Sequence, residues 1–164
     1  VETVKGNLVR MGFHHQSTSL SGGLVACTGN AGCKYSATST KAQAVELGRY
    51  LEERVPLDHP INIHLTGCPH SCAQHYIGDI GMVGTKVTHD GEQVEGYHIV
   101  LGGRCVGGQT IAREVFHGVP FSEIPPLLEE VLRHYLSRRA SPDETFAQFT
   151  ARHSMEELRE LFAA

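Results

Sequence analysis

The chain has 164 residues, of which 40% are hydrophobic and 20% charged, and a formal net charge of -4 at pH 7. These values exclude fibrous and disordered proteins and predict one globular domain with a modest core. Its 14 basic and 18 acidic residues form no dense basic cluster, so the composition indicates neither a nucleic-acid partner nor an anionic membrane surface. No apolar run approaches the roughly 20 residues that span a bilayer.

A glycine-rich loop after a short strand carries the first cysteine pair. The apolar residues Leu24 and Val25 predict the strand, and Cys27 and Cys33 lie in the loop that follows. A helix is then predicted over residues 40–55, because its apolar side chains fall on one face and its charged ones elsewhere. The apolar face consists of Ala44, Leu47, Leu51 and Val55.

A second strand leads into the second cysteine pair. Alternating apolar residues at 61–65 predict the strand, and Gly67 and Pro69 end it, placing Cys68 and Cys72 in the next loop. This order of strand, loop, helix and strand is a crossover unit, whose two strands are expected to be neighbours in one sheet. Both cysteine pairs are therefore predicted at the same end of adjacent strands, where open sheets hold ligands.

The second half of the chain predicts a hairpin, a strand and three helices. Asp90 and Gly91 are typical of a tight hairpin turn. Residues 110–116 predict a further strand, and Ser122 is expected to cap the long helix that follows. Two short helices are each expected to begin with a Ser-x-x-Glu capping box. The boxes are Ser141 with Glu144 and Ser154 with Glu157.

The predicted fold class is α+β with an α/β-like crossover: a mixed sheet of about five strands, with helices packed on it. The five cysteines are an odd number, which argues against a secreted disulfide framework and favours thiolates kept reduced for a metal. A cytoplasmic location is therefore expected. Because the sequence begins at Val1 rather than at methionine, we also expect it to be a piece of a longer polypeptide.

The spacing of four cysteines favours an iron–sulfur cluster. Cys27 and Cys33 have five residues between them, and Cys68 and Cys72 have three. Four thiolates hold either a cluster or structural zinc, but zinc favours pairs with about two to four intervening residues. The glycine-rich loops also leave N–H groups free to hydrogen-bond cluster sulfurs. Zinc, a disulfide pair and buried thiols stay as alternatives on the residues alone.

The segments ACTGNAGC, TGCPHSCAQ and IGDIGMVG, followed by LGG, resemble the C-terminal half of the sulfite and nitrite reductases that carry siroheme coupled to a [4Fe–4S] cluster. That family has its cysteines as Cys-x5-Cys and Cys-x3-Cys in this order. The resemblance is strict over about half of the chain, and it is nearest to assimilatory nitrite reductases. It implies the six-electron reduction of nitrite to ammonia, with sulfite to sulfide as the alternative substrate reaction.

The resemblance also implies roles for individual residues. The cluster ligands are expected to be Cys27, Cys33, Cys68 and Cys72. Cys72 is expected in addition to bind the siroheme iron axially, so that one sulfur joins both groups. Four neighbouring residues are expected to contact the cofactors, namely Thr28, Asn30, His70 and Gln74. His70 stands where the family usually has asparagine, which is expected to change a hydrogen bond near the cofactors.

Three parts of the chain are expected: an N-terminal segment or tail of a preceding domain (1–23), a cluster- and siroheme-binding domain (24–139) and a C-terminal helical extension (140–164). The family's anion-binding basic residues lie in an N-terminal half, so no catalytic residue is assigned here and the fragment alone is expected to be inactive. Expected partners are that half, nitrite or sulfite, and ferredoxin or a flavoprotein as electron donor. The alternative is a non-catalytic four-cysteine module that binds zinc or a cluster for structure.

Some residues are interpreted as structural rather than functional. Cys105 is expected to be a partly buried structural cysteine. His14 and His15 are interpreted as solvated loop residues. A zinc site in which His70 and His75 join the second cysteine pair is disfavoured, because residues two apart rarely converge on one ion.

Overall fold

The computed structural model describes residues 1–13, 16–105 and 108–162, so His14 and His15 lie outside the described residues. The described strands are β1 (Leu24–Ala26), β2 (Ile63–Thr66), β3 (Ile80–His89), β4 (Glu92–Leu101) and β5 (Arg113–Pro120). The described helices are α1 (Glu2–Arg10), α2 (Thr40–Arg54), α3 (Ile124–Arg138), α4 (Phe146–Ala151) and α5 (Met155–Leu161). Short 3-10 turns occupy His75–Ile77 and Phe121–Glu123. No helix in these ranges is long and apolar enough to cross a membrane.

The strands form one five-stranded sheet in the order β1-β2-β3-β4-β5. β1 is parallel to β2 and β2 to β3, whereas β3 with β4 and β4 with β5 are antiparallel. The predicted mixed sheet of about five strands is therefore confirmed. Helix α2 connects β1 to β2, and the register, with Leu24 opposite Ile63, confirms the predicted crossover unit.

One hydrophobic cluster joins the sheet to four of the helices. The predicted apolar face of α2 is buried in it, with Leu47 and Leu51 fully inaccessible. Tyr135 of α3 is also inaccessible, and it packs edge-on against Phe146 and Phe149 of α4, with ring centroids 5.3 and 5.5 Å apart. The C-terminal helices thus contribute to the same core as the sheet. Helix α1, in contrast, has no buried residue.

The hairpin predicted at Asp90 and Gly91 is confirmed. Both residues have positive φ, +50° and +82°, and they connect β3 to β4 with His89 opposite Glu92. Two successive residues with positive φ are the condition for the tight turn whose twist matches that of the flanking strands.

The strand predicted at 110–116 is wrong in its bounds. β5 begins three residues later, at Arg113, and continues four residues further, to Pro120. Thr110 instead pairs with Arg104 in an isolated bridge. In the sequence, Gly118 and Pro120 predict the end of a strand. However, β5 is an edge strand of the sheet, and an edge strand tolerates both residue types.

The predicted cap at Ser122 is also wrong. Ser122 lies in the 3-10 turn, and α3 begins at Ile124 after Glu123, which makes no side-chain capping bond. Pro125 and Pro126 determine this start, because proline lacks the N–H that a helix interior needs and therefore fits only the first turn.

Of the two predicted capping boxes, one is confirmed. Ser154 caps α5, accepting from the N–H of Glu157 at 3.1 Å, and its own N–H donates to the Glu157 carboxylate at 2.6 Å. This reciprocal pair satisfies two N–H groups that the helix itself leaves without partners.

The box predicted at Ser141 is wrong, because α4 begins only at Phe146. Its cap is Thr145, whose hydroxyl accepts from the N–H of Gln148 at 3.3 Å while its own N–H donates to the Gln148 side chain at 2.9 Å. Thr-x-x-Gln is also a capping box, and the burial of Phe146 and Phe149 decides between the two patterns.

Replacing the true cap should destabilise the fold, and replacing the false one should not. We expect Thr145→Ala to lower the free energy of unfolding by about 1 kcal/mol. The control Ser141→Ala should stay within about 0.5 kcal/mol of the unmodified chain. Urea unfolding followed by circular dichroism measures both values, and equal losses in the two variants would contradict the assignment of the cap.

Candidate metal centre

The two cysteine pairs lie at one end of the sheet, beyond the carboxyl ends of the parallel strands β1 and β2. Cys27 follows β1 directly, and its N–H donates to the carbonyl of Leu65 in β2 at 3.0 Å. Cys68 follows the last residue of β2 by two positions. The predicted placement of both pairs at the same end of adjacent strands is confirmed.

A left-handed turn shapes the first cysteine loop. Gly29 has a φ of +73°, and its carbonyl accepts from the N–H of Cys33 at 2.9 Å. A Cβ on Gly29 would lie 2.8 Å from the hydroxyl oxygen and 2.9 Å from the backbone nitrogen of Thr40, at the start of α2. Glycine is therefore required both for the backbone angle and for the close approach of the loop to the helix.

The second cysteine loop is closed at its base by Thr66. The hydroxyl of this buried residue accepts from the N–H of Ala73 at 3.1 Å. Within and just beyond the loop, Ser71 and Gln74 have positive φ, +58° and +54°. Non-glycine residues in this region carry backbone strain, which is typical of functional sites. Cys72 lies between these two residues and is exposed.

The two loops meet at the sulfur of Cys27. The N–H of Gly67 donates to this sulfur at 3.2 Å, and the hydroxyl oxygen of Thr40 lies 3.6 Å from it. The carbonyl of Gly67 also accepts from the N–H of Ala37 at 2.7 Å. Donors aimed at a sulfur stabilise the negative charge of a metal-bound thiolate. The loop of the second pair therefore already supplies a hydrogen bond to a cysteine of the first.

A second contact joins the loops on their exposed side. His70 Nδ1 lies 3.4 Å from Cys68 Sγ, and the His70 ring meets the ring of Tyr35 edge-on, with centroids 5.3 Å apart. The ammonium of Lys34 lies 5.0 Å from the centroid of the Tyr35 ring. The predicted site residue His70 thus contacts a predicted ligand and also the segment that follows Cys33.

The cysteine sulfurs are too widely spaced for a ready-made zinc site. In the described ranges, the only ligand-type side chains grouped in threes within 4.8 Å are His98, Glu114 and His117. Four thiolates around one zinc, each about 2.3 Å from the ion, would lie closer together than that. The set that adds His70 and His75 to the second cysteine pair is likewise not grouped. The cysteines are free thiols, and a cluster occupies more space than a single ion, so its thiolates need not meet in so small a group.

The group of His98, Glu114 and His117 lies on β4 and β5, at a bulge where the register shifts beside His98. The N–H of Gly118 donates to His98 Nδ1 at 3.1 Å. Burial, and then the nearby His117, lower the pKa of His98, so the ring is neutral and its one proton is on Nε2. Nδ1 of His98 is therefore occupied by a hydrogen bond, and the group is interpreted as a packed pair of rings, with centroids 4.0 Å apart, and an adjoining carboxylate.

The other predicted site residues have different surroundings. Thr28 is exposed on the first loop. Asn30 is also exposed, and its side-chain amide donates to Glu95 of β4 at 2.6 Å. The carbonyl of Gln74 lies 3.1 Å from His64 Nδ1. Glu95 could not be identified from the sequence, because a lone acidic residue in a strand gives no signal of a contact 65 residues away.

Cys105 is exposed, so the expectation of a partly buried structural cysteine is wrong. It follows Arg104 in the connection beyond β4, outside the strand ladder that buries the preceding residues. A cavity of about 560 Å³ adjoins this connection and the end of the second cysteine loop. Its lining consists of Gln74, Tyr76, Ile77, Arg104, Cys105, Gln109, Thr110 and Ile111.

Relatives of known activity match most of this chain. The ferredoxin–nitrite reductase of Synechococcus elongatus is 38% identical over 120 residues, which cover 73% of this chain and 23% of that protein. Sulfite reductase (ferredoxin) 1 of Mycolicibacterium paratuberculosis is 35% identical over 166 residues, which cover 97% of this chain and 30% of that protein. The chain thus spans less than a third of the length of either relative.

A solved structure, titled as that of the Mycobacterium tuberculosis NirA protein, superposes with a TM-score of 0.87 at 32% identity, covering 96% of this chain and 30% of that one. Dissimilatory sulfite reductase I superposes with a TM-score of 0.67 at 12% identity, a likeness of fold alone. The family model described as the nitrite and sulphite reductase 4Fe-4S domain matches residues 21–164. Enzymes of that family are oxidoreductases that use a [4Fe–4S] cluster and siroheme. This chain belongs to the nitrite and sulphite reductase 4Fe-4S domain family.

Proposed function

We propose that this chain is the part of a siroheme nitrite reductase that holds the [4Fe–4S] cluster. The proposed ligands are Cys27, Cys33, Cys68 and Cys72. One observation carries the proposal: the two cysteine loops meet beyond neighbouring parallel strands, and the N–H of Gly67 in one loop donates to the sulfur of Cys27 in the other. Such a bond favours the thiolate form that a cluster requires.

Siroheme is proposed to bind beside the exposed Cys72, whose thiolate would hold it next to the cluster. When bound, the two groups would supply the electron storage that reduction of the anion needs. This chain would orient them, through the strained turns at Ser71 and Gln74 that flank Cys72. The adjoining cavity, with Gln74 and the cationic Arg104 in its lining, offers space and positive charge for the carboxylates of such a macrocycle.

The neighbouring residues are proposed to act on the cofactors as the resemblance implies. His70 lies 3.4 Å from the sulfur of Cys68, so its Nδ1–H can donate to a cluster-bound thiolate in place of the family's usual asparagine. Thr28 and Gln74 are exposed and free to contact a bound group. Asn30 also donates to Glu95, so its proposed role includes the order of the loop itself.

The remaining parts of the reaction are proposed to come from elsewhere. The relatives are several times longer than this chain, and the proposed partner is the N-terminal part of the same reductase, which would bind the anion. The relatives' names suggest ferredoxin as the electron donor. A cytoplasmic location is proposed on the chemistry of thiolates that must stay reduced. The isolated chain should therefore hold a cluster without reducing nitrite.

Sulfite is the second candidate substrate. The observation in its favour is the relative from Mycolicibacterium paratuberculosis, which matches 97% of this chain, against 73% for the nitrite reductase of Synechococcus elongatus. The slightly higher identity of the latter, 38% against 35%, favours nitrite. Both reactions need the same electron delivery, so the cluster-binding role is common to the two candidates.

Metal content is the first test of the cluster. After anaerobic reconstitution with iron and sulfide, we expect about four irons and four sulfides per chain, together with the broad visible absorption of a cluster. Cys27→Ser, Cys33→Ser and Cys68→Ser should each lower iron content severalfold. The matched control is Cys105→Ser, which should leave it unchanged. Stoichiometric zinc that reconstitution does not displace would contradict the proposal and support the structural module.

Contact between the loops can be tested at Gly67. A Cβ at this position would lie 1.8 Å from Ser36 Oγ and 2.9 Å from Ser36 Cβ, so Gly67→Ala should push the loop away from the sulfur of Cys27. We expect the variant to lose its cluster about tenfold faster to an iron chelator. Ser36→Gly in the same chain removes both atoms and should restore much of the retention. Gly6→Ala, at an exposed site with nothing within 4 Å, is the control.

Chimeras test the activity and the anion. This chain would replace the matching segment of the Synechococcus elongatus nitrite reductase and, separately, of the Mycolicibacterium paratuberculosis sulfite reductase. We expect a larger fraction of the host's activity to return in the nitrite reductase, measured as ammonia formed with reduced ferredoxin. The chimera with Cys72→Ser should keep less than about a tenth of that activity, because removing a ligand should cost at least as much as removing an outer-shell partner. Return of activity only in the sulfite reductase would favour sulfite.

A further inference from the structure

The carboxylate of Glu95 binds three hydrogen-bond donors around the first cysteine loop. Oε1 accepts from the side-chain amide of Asn30 at 2.6 Å. Oε2 accepts from the backbone N–H of Ser39 at 2.8 Å and from the side-chain amide of Gln43 at 2.9 Å. Lys86 Nζ lies 3.6 Å from Glu95 Oε1, and the Glu95 side chain is only 26% exposed. Charged acceptors form the stronger class of hydrogen bond, so this group is a firm anchor.

These donors come from the first cysteine loop and from the start of α2. Asn30 lies in the loop between Cys27 and Cys33, and its N–H donates to the carbonyl of Thr38 at 2.9 Å, which closes that loop. Ser39 immediately precedes Thr40, whose hydroxyl donates to the carbonyl of Cys27 at 2.8 Å. One carboxylate therefore connects the loop and the start of α2 to the strand β4.

Helix α2 also lacks the usual local means of satisfying its N-terminus. Ser39 is its N-cap but makes no side-chain capping bond, and the first turn of the helix contains no acidic residue. Glu95 supplies both a hydrogen-bond acceptor and a negative charge at that end of the helix, from a distant strand. The start of α2, and with it Thr40 beside the Cys27 sulfur, depends on this contact.

The Glu95 carboxylate is itself held in place by a buried hydrogen-bond network. The side chain of Gln43, which donates to Glu95, accepts at its other atom from the hydroxyl of Tyr97 at 2.5 Å. Gln43 is 8% exposed and Tyr97 is fully buried. Tyr97 lies two residues after Glu95 in β4, so the chain of bonds returns to the same strand. A closed and largely buried network of this kind rigidifies the groups it joins.

We propose that Glu95 is a positioning residue of the cluster, which fixes the Cys27–Cys33 loop against α2 and β4 so that its two thiolates stay in place when the cluster is bound. This inference rests on the proposed function for its consequence, cluster retention. The order of the loop does not depend on a cluster. Glu95 acts through Asn30 and Ser39 and has no assigned contact with the cofactors.

The test uses Glu95→Gln in the full chain. Glutamine has nearly the same shape, but it removes the charge and turns an N–H₂ group toward one of the three donors. We expect the reconstituted variant to lose its cluster to a chelator about tenfold faster. The electron paramagnetic resonance spectrum of the reduced cluster should also change its g values, which a loss of overall stability alone would not cause. Glu92→Gln, the same substitution at an exposed site of the same strand, is the control.

A second variant keeps the test valid if Glu95→Gln folds poorly. Asn30→Ala changes an exposed residue and removes only the hydrogen bond from the loop to Glu95. We therefore expect this variant also to lose its cluster faster than the unmodified chain. Because Asn30 acts on the loop through its hydrogen bond to Glu95, the double variant should be little worse than Glu95→Gln alone. Cluster loss at the unmodified rate in both single variants would overturn the inference.

Amide hydrogen exchange separates this inference from the proposed function. In the cluster-free chain, the N–H of Asn30 donates to the carbonyl of Thr38 and the N–H of Cys33 donates to the carbonyl of Gly29. We expect them to exchange severalfold faster in Glu95→Gln, with no change in Glu92→Gln. If the unmodified chain binds no cluster but this difference is found, the proposed function fails and the positioning of the loop stands. Unchanged exchange at both sites would overturn the inference whatever the metal content.

Discussion

The parallel pairing of β1 with β2 is the constraint on which the site depends. Leu24, Val25 and Ala26 pair in register with residues 63–65, and the N–H of Cys27 continues this ladder to Leu65. Helix α2 makes the connection, so loops that are about 40 residues apart in sequence begin side by side. A shift of one residue in this register would turn every side chain of the shifted strand to the other face of the sheet and separate the sulfur of Cys27 from the N–H of Gly67.

The two loops are stabilised by different means. The first is ordered from outside, by the Glu95 carboxylate and the start of α2. The second is short and closed at its base by the hydroxyl of Thr66, and it contains or adjoins two strained residues, Ser71 and Gln74. Strain of this kind persists only where the surrounding structure determines it strongly, and this segment connects the paired strands β2 and β3. The exposed Cys72 thus stands on a rigid base.

The sequence predicted the features that depend on local pattern. The turn at Asp90 and Gly91 and the apolar face of α2 follow from residues near one another in the chain, and the crossover follows from the order of strand, helix and strand. Prediction from the sequence failed where packing between distant residues decides between two similar local patterns. Ser141 and Thr145 each begin a capping-box pattern, and the burial of Phe146 and Phe149 favours the helix that begins after Thr145. The spacing of the cysteines predicted their common location, but nothing near Asn30 indicates its partner in β4. The anchor is visible only when the sheet is assembled.

The two anions are not distinguished by the residues described above. Relatives named for nitrite and for sulfite match this chain at 38% and 35% identity, and the geometry around the cysteines concerns only the holding of thiolates and the donors to their sulfurs. Electron delivery from a cluster is common to both six-electron reductions, so loops that perform it have no reason to differ between the two enzymes. Discrimination between anions requires contacts with the anion itself. Under the proposed function, the loops of this chain and the anion-binding groups of a longer reductase can therefore change independently.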